Sequence, residues 1–158
     1  MIIIGVDPGS KESAFVEWHS KDKTIFSAKI LPNPELLRCI RDSFSYASIL
    51  NVVLAIEQIR GYGIVAGDDT FDTCEWSGRF REAHESKGGK VVMIPRKEVK
   101  RCLCGNTTTN DKYIRMALIE RFGEVGTKKN PCPLFGISGH MWSALACAVT
   151  CKEQLKKQ

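Results

Sequence analysis

Short apolar runs ending in polar or turn-forming residues organise the chain. Ile2 to Val6 form a run interrupted only by Gly5, and it stops at Asp7. Such a run predicts a buried strand over residues 2–7. "ESAFVEWH" at 12–19 and "TIFSAKI" at 24–30 predict two more strands, joined through the turn "SKDK". Three strands with short links form an antiparallel meander. "NPELLRCIRDSFSYAS" then predicts a helix. Asn33 is its candidate N-cap, Pro34 suits its first turn, and Leu36, Leu37, Ile40 and Phe44 share one face.

"NVVLAIE" at 51–57 is another buried strand, and it too ends in an acid, Glu57. Gly61, Gly63 and Gly67 break up the following loop. Residues 71–87 predict a helix, and "KVVMI" at 90–94 a fifth strand. Pro95 closes that strand and opens a helix to about 103. A further helix over about 109–122 places Ile114, Leu118 and Phe122 on one face, with Gly123 at its end. The last helix, about 139–155, contains the small apolar run "MWSALACAVT". The order βββ-α-β-α-β-α-α-α implies parallel pairing among strands one, four and five, with right-handed crossovers. The expected architecture is α/β: one domain over residues 1–158, with a mixed five-stranded sheet and helices on both faces.

Composition adds little to this picture. A hydrophobic content of 43% and a charged content of 26% are those of an ordinary globular protein. No apolar run reaches the length of a membrane span, and no basic region precedes the apolar N-terminus. The expectation is a soluble cytoplasmic protein without membrane contact. The formal net charge of +5 favours an anionic partner only weakly. Its distribution is more informative: Lys87, Lys90, Arg96, Lys97, Lys100 and Arg101 crowd one stretch, and Lys112, Arg115, Arg121, Lys128 and Lys129 follow. These are either a nucleic-acid face or solvated helix surfaces. The seven cysteines lack paired zinc-finger spacing, so reduced and mostly buried thiols are expected.

The candidate chemistry lies at two strand ends. In parallel α/β sheets ligand sites form where strands finish, and Asp7 and Glu57 finish two strands expected to be neighbours. Converging carboxylates repel each other unless a cation sits between them. Oxygen ligands of this kind select magnesium or manganese. The alternative is that Asp7 caps a turn and Glu57 makes a surface ion pair.

"IGVDPGS" at 4–10, "AIEQ" at 55–58 and "SALACAVT" at 143–150 together resemble RuvC-type Holliday junction resolvases of the RNase H-like nuclease superfamily. The segment from "WSGRF" through "IPRKEVKRCLCGN" fits the same order, and the divergence is like that of a phage-encoded relative. The resemblance implies an RNase H-like fold, a homodimer, two Mg2+ or Mn2+ ions per active site, and four-way or other branched DNA as partner. For a phage-type relative it places the protein in the host cytoplasm.

The resemblance also implies residue roles. Asp7 matches the first metal-ligand position and Glu57 the second. The third and fourth, three residues apart at the start of the final helix, are His140 and Ser143. His140 is an accepted variant, a ligand or a group acting on the water. Ser143 replaces an expected carboxylate by a hydroxyl, a weaker cation ligand, and Asp111 is a candidate substitute. Lys112 matches a lysine near the scissile phosphate, which implies a catalytic role in neutralising transition-state charge. Tyr62, between glycines in the loop after Glu57, is the nearest match to an aromatic wedge at the junction centre. Arg60, Lys97, Lys100 and Arg101 complete the expected DNA contacts. Bland roles remain for several of these: a helix cap for His140, a packing residue for Ser143, an exposed cation for Lys112, and Tyr62 folded back on its own domain.

The expected activity is therefore metal-dependent hydrolysis of a phosphodiester in a Holliday junction or other branched DNA. Two other functions stay open: a structure-selective branched-DNA-binding module with weakened catalysis, suggested by Ser143, and an RNase H-like nuclease on RNA–DNA hybrids or flaps.

Overall fold

A computed structural model describes residues 1–42, 50–61, 63 and 65–157. Its sheet has five strands in the order β3-β2-β1-β4-β5. These are β1 (Ile2–Asp7), β2 (Glu12–His19), β3 (Thr24–Pro32), β4 (Val52–Gln58) and β5 (Lys90–Pro95). The first three form the antiparallel meander, while β1, β4 and β5 run parallel. The mixed sheet is the one expected from the pattern. The described helices are α1 (Asn33–Asp42), α2 (Asp68–Glu85), α3 (Arg96–Cys104), α4 (Asp111–Phe122) and α5 (Met141–Leu155). The expected continuation of α1 through Phe44 lies outside the described residues, as does Tyr62. No described helix is long and apolar enough to cross a membrane.

Strand parity divides the core in two. Side chains alternate across a strand, so Ile4 and Val6 of β1, with Val52, Leu54 and Ile56 of β4, face α1 and α2 and meet Leu36, Ile40 and Phe80. Ile3 of β1 and Val53 and Ala55 of β4 face the opposite way, toward α3, α4 and α5. The helices thus cover both faces. Asp7 and Glu57 continue the second series, four and two residues beyond Ile3 and Ala55. Both carboxylates therefore emerge on the α5 side of the sheet.

Helix α5 is buried along nearly its whole length, from Met141 to Cys151, with Ser143 half-buried. Its small residues allow a close approach to the sheet, and Gly5 completes the fit. A methyl group at Gly5 would overlap the Ala144 carbonyl oxygen and press on the Ala148 methyl. The start of α5 is thereby held over the ends of β1 and β4.

Two sequence expectations are corrected. Asn33 is fully buried, but its side chain does not cap its own helix. It donates to the Gly9 carbonyl (2.9 Å) and accepts from Ser13 Oγ (2.6 Å), and Ser13 Oγ in turn accepts from the Gly9 amide (3.1 Å). Buried polar groups must be paired, and this cluster fixes the loop that follows Asp7. All seven cysteines are free thiols, yet only Cys147 and Cys151 are buried. The others lie on helix or loop surfaces where nothing covers them fully.

Candidate active site

Five elements contribute to one end of the sheet. Asp7 ends β1 and Glu57 lies one residue before the end of β4. The register that pairs Val6 with Ile56 places the two acids side by side. Arg96 opens α3 directly after β5, Asp111 opens α4 behind its cap Asn110, and His140 stands at the N-cap of α5. The Asn110 side chain accepts from the Lys112 amide (3.1 Å), which sets the first turn of α4. The amino ends of three helices gather here, an arrangement whose dipoles favour an anionic ligand.

Two contact groups make up the site. Asp7 Oδ2 meets His140 Nδ1 at 2.9 Å. Arg96 joins the rest: its Nη1 donates to Glu57 Oε2 (2.9 Å) and Ser143 Oγ (3.2 Å), and its Nη2 donates to Asp111 Oδ1 (2.5 Å). The side chains of Asp7 and Glu57 are 15% and 16% exposed, whereas those of His140 and Asp111 are 79% and 76% exposed. The acids form the floor of the site, and His140 and Asp111 stand at its rim. Asp7, Ser10, Glu12, Ile30 and His140 line an adjoining cleft of about 210 Å³.

The electrostatics follow from this burial. Desolvation raises the Glu57 carboxyl to about 7. Arg96 opposes the shift, and the neighbouring Asp7 charge adds to it. Burial also raises Asp7, against the pull of His140, Arg96 and Ser143. Arg96 is held more firmly protonated than usual, because Glu57 and Asp111 outweigh its own desolvation. Cys147, one turn below Ser143, is pushed well up by burial and by the nearby acids, so it forms an inert floor.

The expected residues are brought together to different degrees. Asp7, Glu57, His140, Ser143 and Asp111 converge. Lys112 is exposed one residue beyond Asp111, about 100° further around α4. Arg60 is exposed just past β4. Lys97, Lys100 and Arg101 lie on α3, Arg101 paired with Glu98 at 3.0 Å. Arg96 was expected only as part of a basic stretch, yet it is the central cation of the site. Its sequence signal is the one that marks Asp7 and Glu57: a charged residue at the carboxyl end of an apolar strand.

No protein-family model matches the chain, and no curated protein matches its sequence. Solved structures do match in three dimensions. The Thermus thermophilus RuvC structure superposes with a TM-score of 0.70 at 18% identity, covering 99% of this chain and 96% of that one. T. thermophilus RuvC in complex with Holliday junction substrate gives a TM-score of 0.64 at 16% identity, with the same coverage. The chain has the RuvC fold. That fold is RNase H-like, as the motif resemblance implied, and it spans the described sheet and helices alike. In this chain Arg96 sits at the same end of the sheet as Asp7 and Glu57.

The donor set suits a hard divalent cation in one place. Asp7 and Glu57 supply oxygens, and His140 supplies a nitrogen. Burial raises both carboxyls against the pull of Arg96, so a cation binding there would displace protons and favour their ionised forms. Among the described residues no three His, Cys, Asp or Glu side chains enclose a cation by themselves. Magnesium does not require such a cage: one or two carboxylates, water and a substrate phosphate commonly suffice.

Proposed function

We propose that this chain is a divalent-metal-dependent endonuclease that hydrolyses a phosphodiester of Holliday junctions or other branched DNA. The observation that carries this reading is the convergence of Asp7, Glu57 and His140 at the strand ends of a RuvC fold. The proposed cofactor is Mg2+ or Mn2+ and the proposed assembly a homodimer, since two symmetric nicks need two sites related by a twofold axis.

Asp7 and Glu57 would hold the cation, with His140 as a further ligand or as a base for the attacking water. The chemistry such an ion would supply when held by Asp7 and Glu57 is a lowered pKa for the attacking water and charge stabilisation at the phosphate. The water oxygen bonds to phosphorus, the bond to the 3′ oxygen breaks, and the products are a 5′ phosphate and a 3′ hydroxyl. The water's proton leaves through the His140 side of the site, which is open to solvent, and the 3′ oxygen takes one up. Lys112, Arg60, Lys97, Lys100 and Arg101 would bind backbone phosphates. Tyr62 is the proposed wedge at the branch point.

Incubating the full chain with a synthetic four-way junction, a linear duplex and an RNA–DNA hybrid, in Mg2+ or Mn2+, tests the proposal. Selective cutting of the junction supports it. Binding of the junction without cutting would favour the binding-module alternative suggested by Ser143, and selective cutting of the hybrid would favour an RNase H-like activity.

A further inference from the structure

The resemblance implies a second metal ion held partly by a carboxylate at position 143. The chain has a serine there, and a guanidinium fills the space. Arg96 touches Glu57, Ser143 and Asp111 at once, and its side chain is only 23% exposed. It is fixed at its base as well, since it starts α3 immediately after Pro95 at the end of β5. A carboxylate with a divalent cation carries a net charge of +1, and so does a serine with an arginine. The pair Ser143–Arg96 therefore delivers the charge of an acid-bound metal without a metal. A second divalent ion would face the guanidinium at close range, with a neutral hydroxyl at position 143 and an Asp111 carboxylate already paired to Arg96.

Resting on the nuclease reading, we propose that Arg96 is a catalytic residue that takes the place of the second metal ion. Three of its five N–H donors are engaged by Glu57, Ser143 and Asp111. The remaining donors meet the non-bridging oxygens of the scissile phosphate and balance the charge that builds as the 3′ oxygen leaves. Arg96 keeps its proton throughout. Asp111 is a positioning residue: it fixes the outer edge of the guanidinium fork. An arginine is needed because three acceptors and a phosphate must share one planar cation, a geometry that a lysine ammonium does not reproduce.

The test counts Mn2+ bound to the full chain by equilibrium dialysis and electron paramagnetic resonance, alongside cleavage of a four-way junction. The wild type should bind one Mn2+ per chain with an uncoupled spectrum. The double variant Arg96→Gln/Ser143→Asp should bind two, with a spin-coupled spectrum. Arg96→Gln alone should still bind one ion while kcat falls about 10²–10³-fold, the loss typical for a removed oxyanion donor. Arg96→Lys should recover only part of that loss. Asp111→Asn should lower kcat about tenfold with little change in KM, as expected when a donor is left in place but less well aimed.

Two coupled Mn2+ ions in the wild type would overturn the proposal and leave the nuclease reading standing. Full activity in Arg96→Gln would also overturn it, reducing Arg96 to a structural ion pair. A wild type that binds no Mn2+ and cuts no junction would remove the nuclease reading itself. Should Arg96→Gln fail to fold, the wild-type ion count and Arg96→Lys decide the question: full activity in Arg96→Lys would again overturn the proposal.

Discussion

His140 Nδ1 lies 2.9 Å from Asp7 Oδ2 although 133 residues separate them. The contact is made by the close seating of α5 on β1, and it joins the two ends of the fold at the candidate site. A carboxylate so placed has lost most of its water, and His140 is its partner at the exposed rim. It is the group whose removal should most directly disable cation binding.

Asp7→Asn should therefore abolish junction cleavage, with a loss of at least about 10³-fold, while binding stays intact or becomes tighter. The amide keeps the shape of the acid but removes its charge, and affinity for DNA comes mainly from cations on phosphates. Gel-shift and cleavage assays on one labelled junction separate the two effects. Cutting by Asp7→Asn at the wild-type rate in Mg2+ would remove the core of the functional proposal.

Junction affinity should fall steeply with salt, because Lys97, Lys100, Arg101 and Lys112 are expected to release counterions on binding. Each single alanine variant should lower the slope of log affinity against log salt by about 1. Glu98, which pairs with Arg101 at 3.0 Å, must give up that contact for Arg101 to meet a phosphate. A flat salt response would make this stretch a solvated face.

Much of this arrangement was legible in the sequence, for a physical reason. Apolar runs that end in acids are buried strands, and parallel neighbours bring their ends together, so Asp7 and Glu57 could be paired without coordinates. The antiparallel meander and the parallel pairing of strands one, four and five followed from the same runs. Asn33 was misread because capping is a local rule, whereas its side chain serves contacts to Gly9 and Ser13, 24 and 20 residues away. Arg96 was misread because charge clustering along the chain says nothing about which cation turns inward. Cysteine burial depended on the exposed faces of helices and loops, which composition does not reveal.

The raised Glu57 carboxyl makes stability pH-dependent in a defined direction. With a pKa of about 7 when folded, against an ordinary 4.5, it binds a proton more tightly in the folded chain. Its contribution is fully present below about 4.5 and is lost as pH rises through about 7. The size is on the order of 3 kcal/mol. Asp7, raised for the same reason, adds with the same sign. Urea unfolding in the presence of EDTA, at pH 5 and pH 8, should show the wild type losing this stability relative to Glu57→Gln. A pH-independent difference would mean that Arg96 keeps Glu57 ionised throughout.

Gly5→Ala should damage both stability and the site, although residue 5 touches no ligand. The added methyl would overlap the Ala144 carbonyl oxygen, which is backbone and cannot rotate away. Overpacking of a core typically costs about 1–3 kcal/mol, and a helix that must lift from the sheet falls at the upper end. The lift would also carry His140 and Ser143 away from Asp7 and Arg96, and a displacement of about 1 Å at reacting groups can cost about 10²-fold in rate. Ala148→Gly should not rescue the variant, because it removes the secondary contact with the Ala148 methyl (3.0 Å) and leaves the carbonyl in place. Gly78→Ala is the control: it lies inside α2, an added methyl meets nothing within 4 Å, and it should be neutral or stabilising by up to about 1 kcal/mol. Thermal melts and junction cleavage measured on the same preparations check both effects. Wild-type behaviour of Gly5→Ala would show that α5 does not depend on this close approach to hold His140 over the acids.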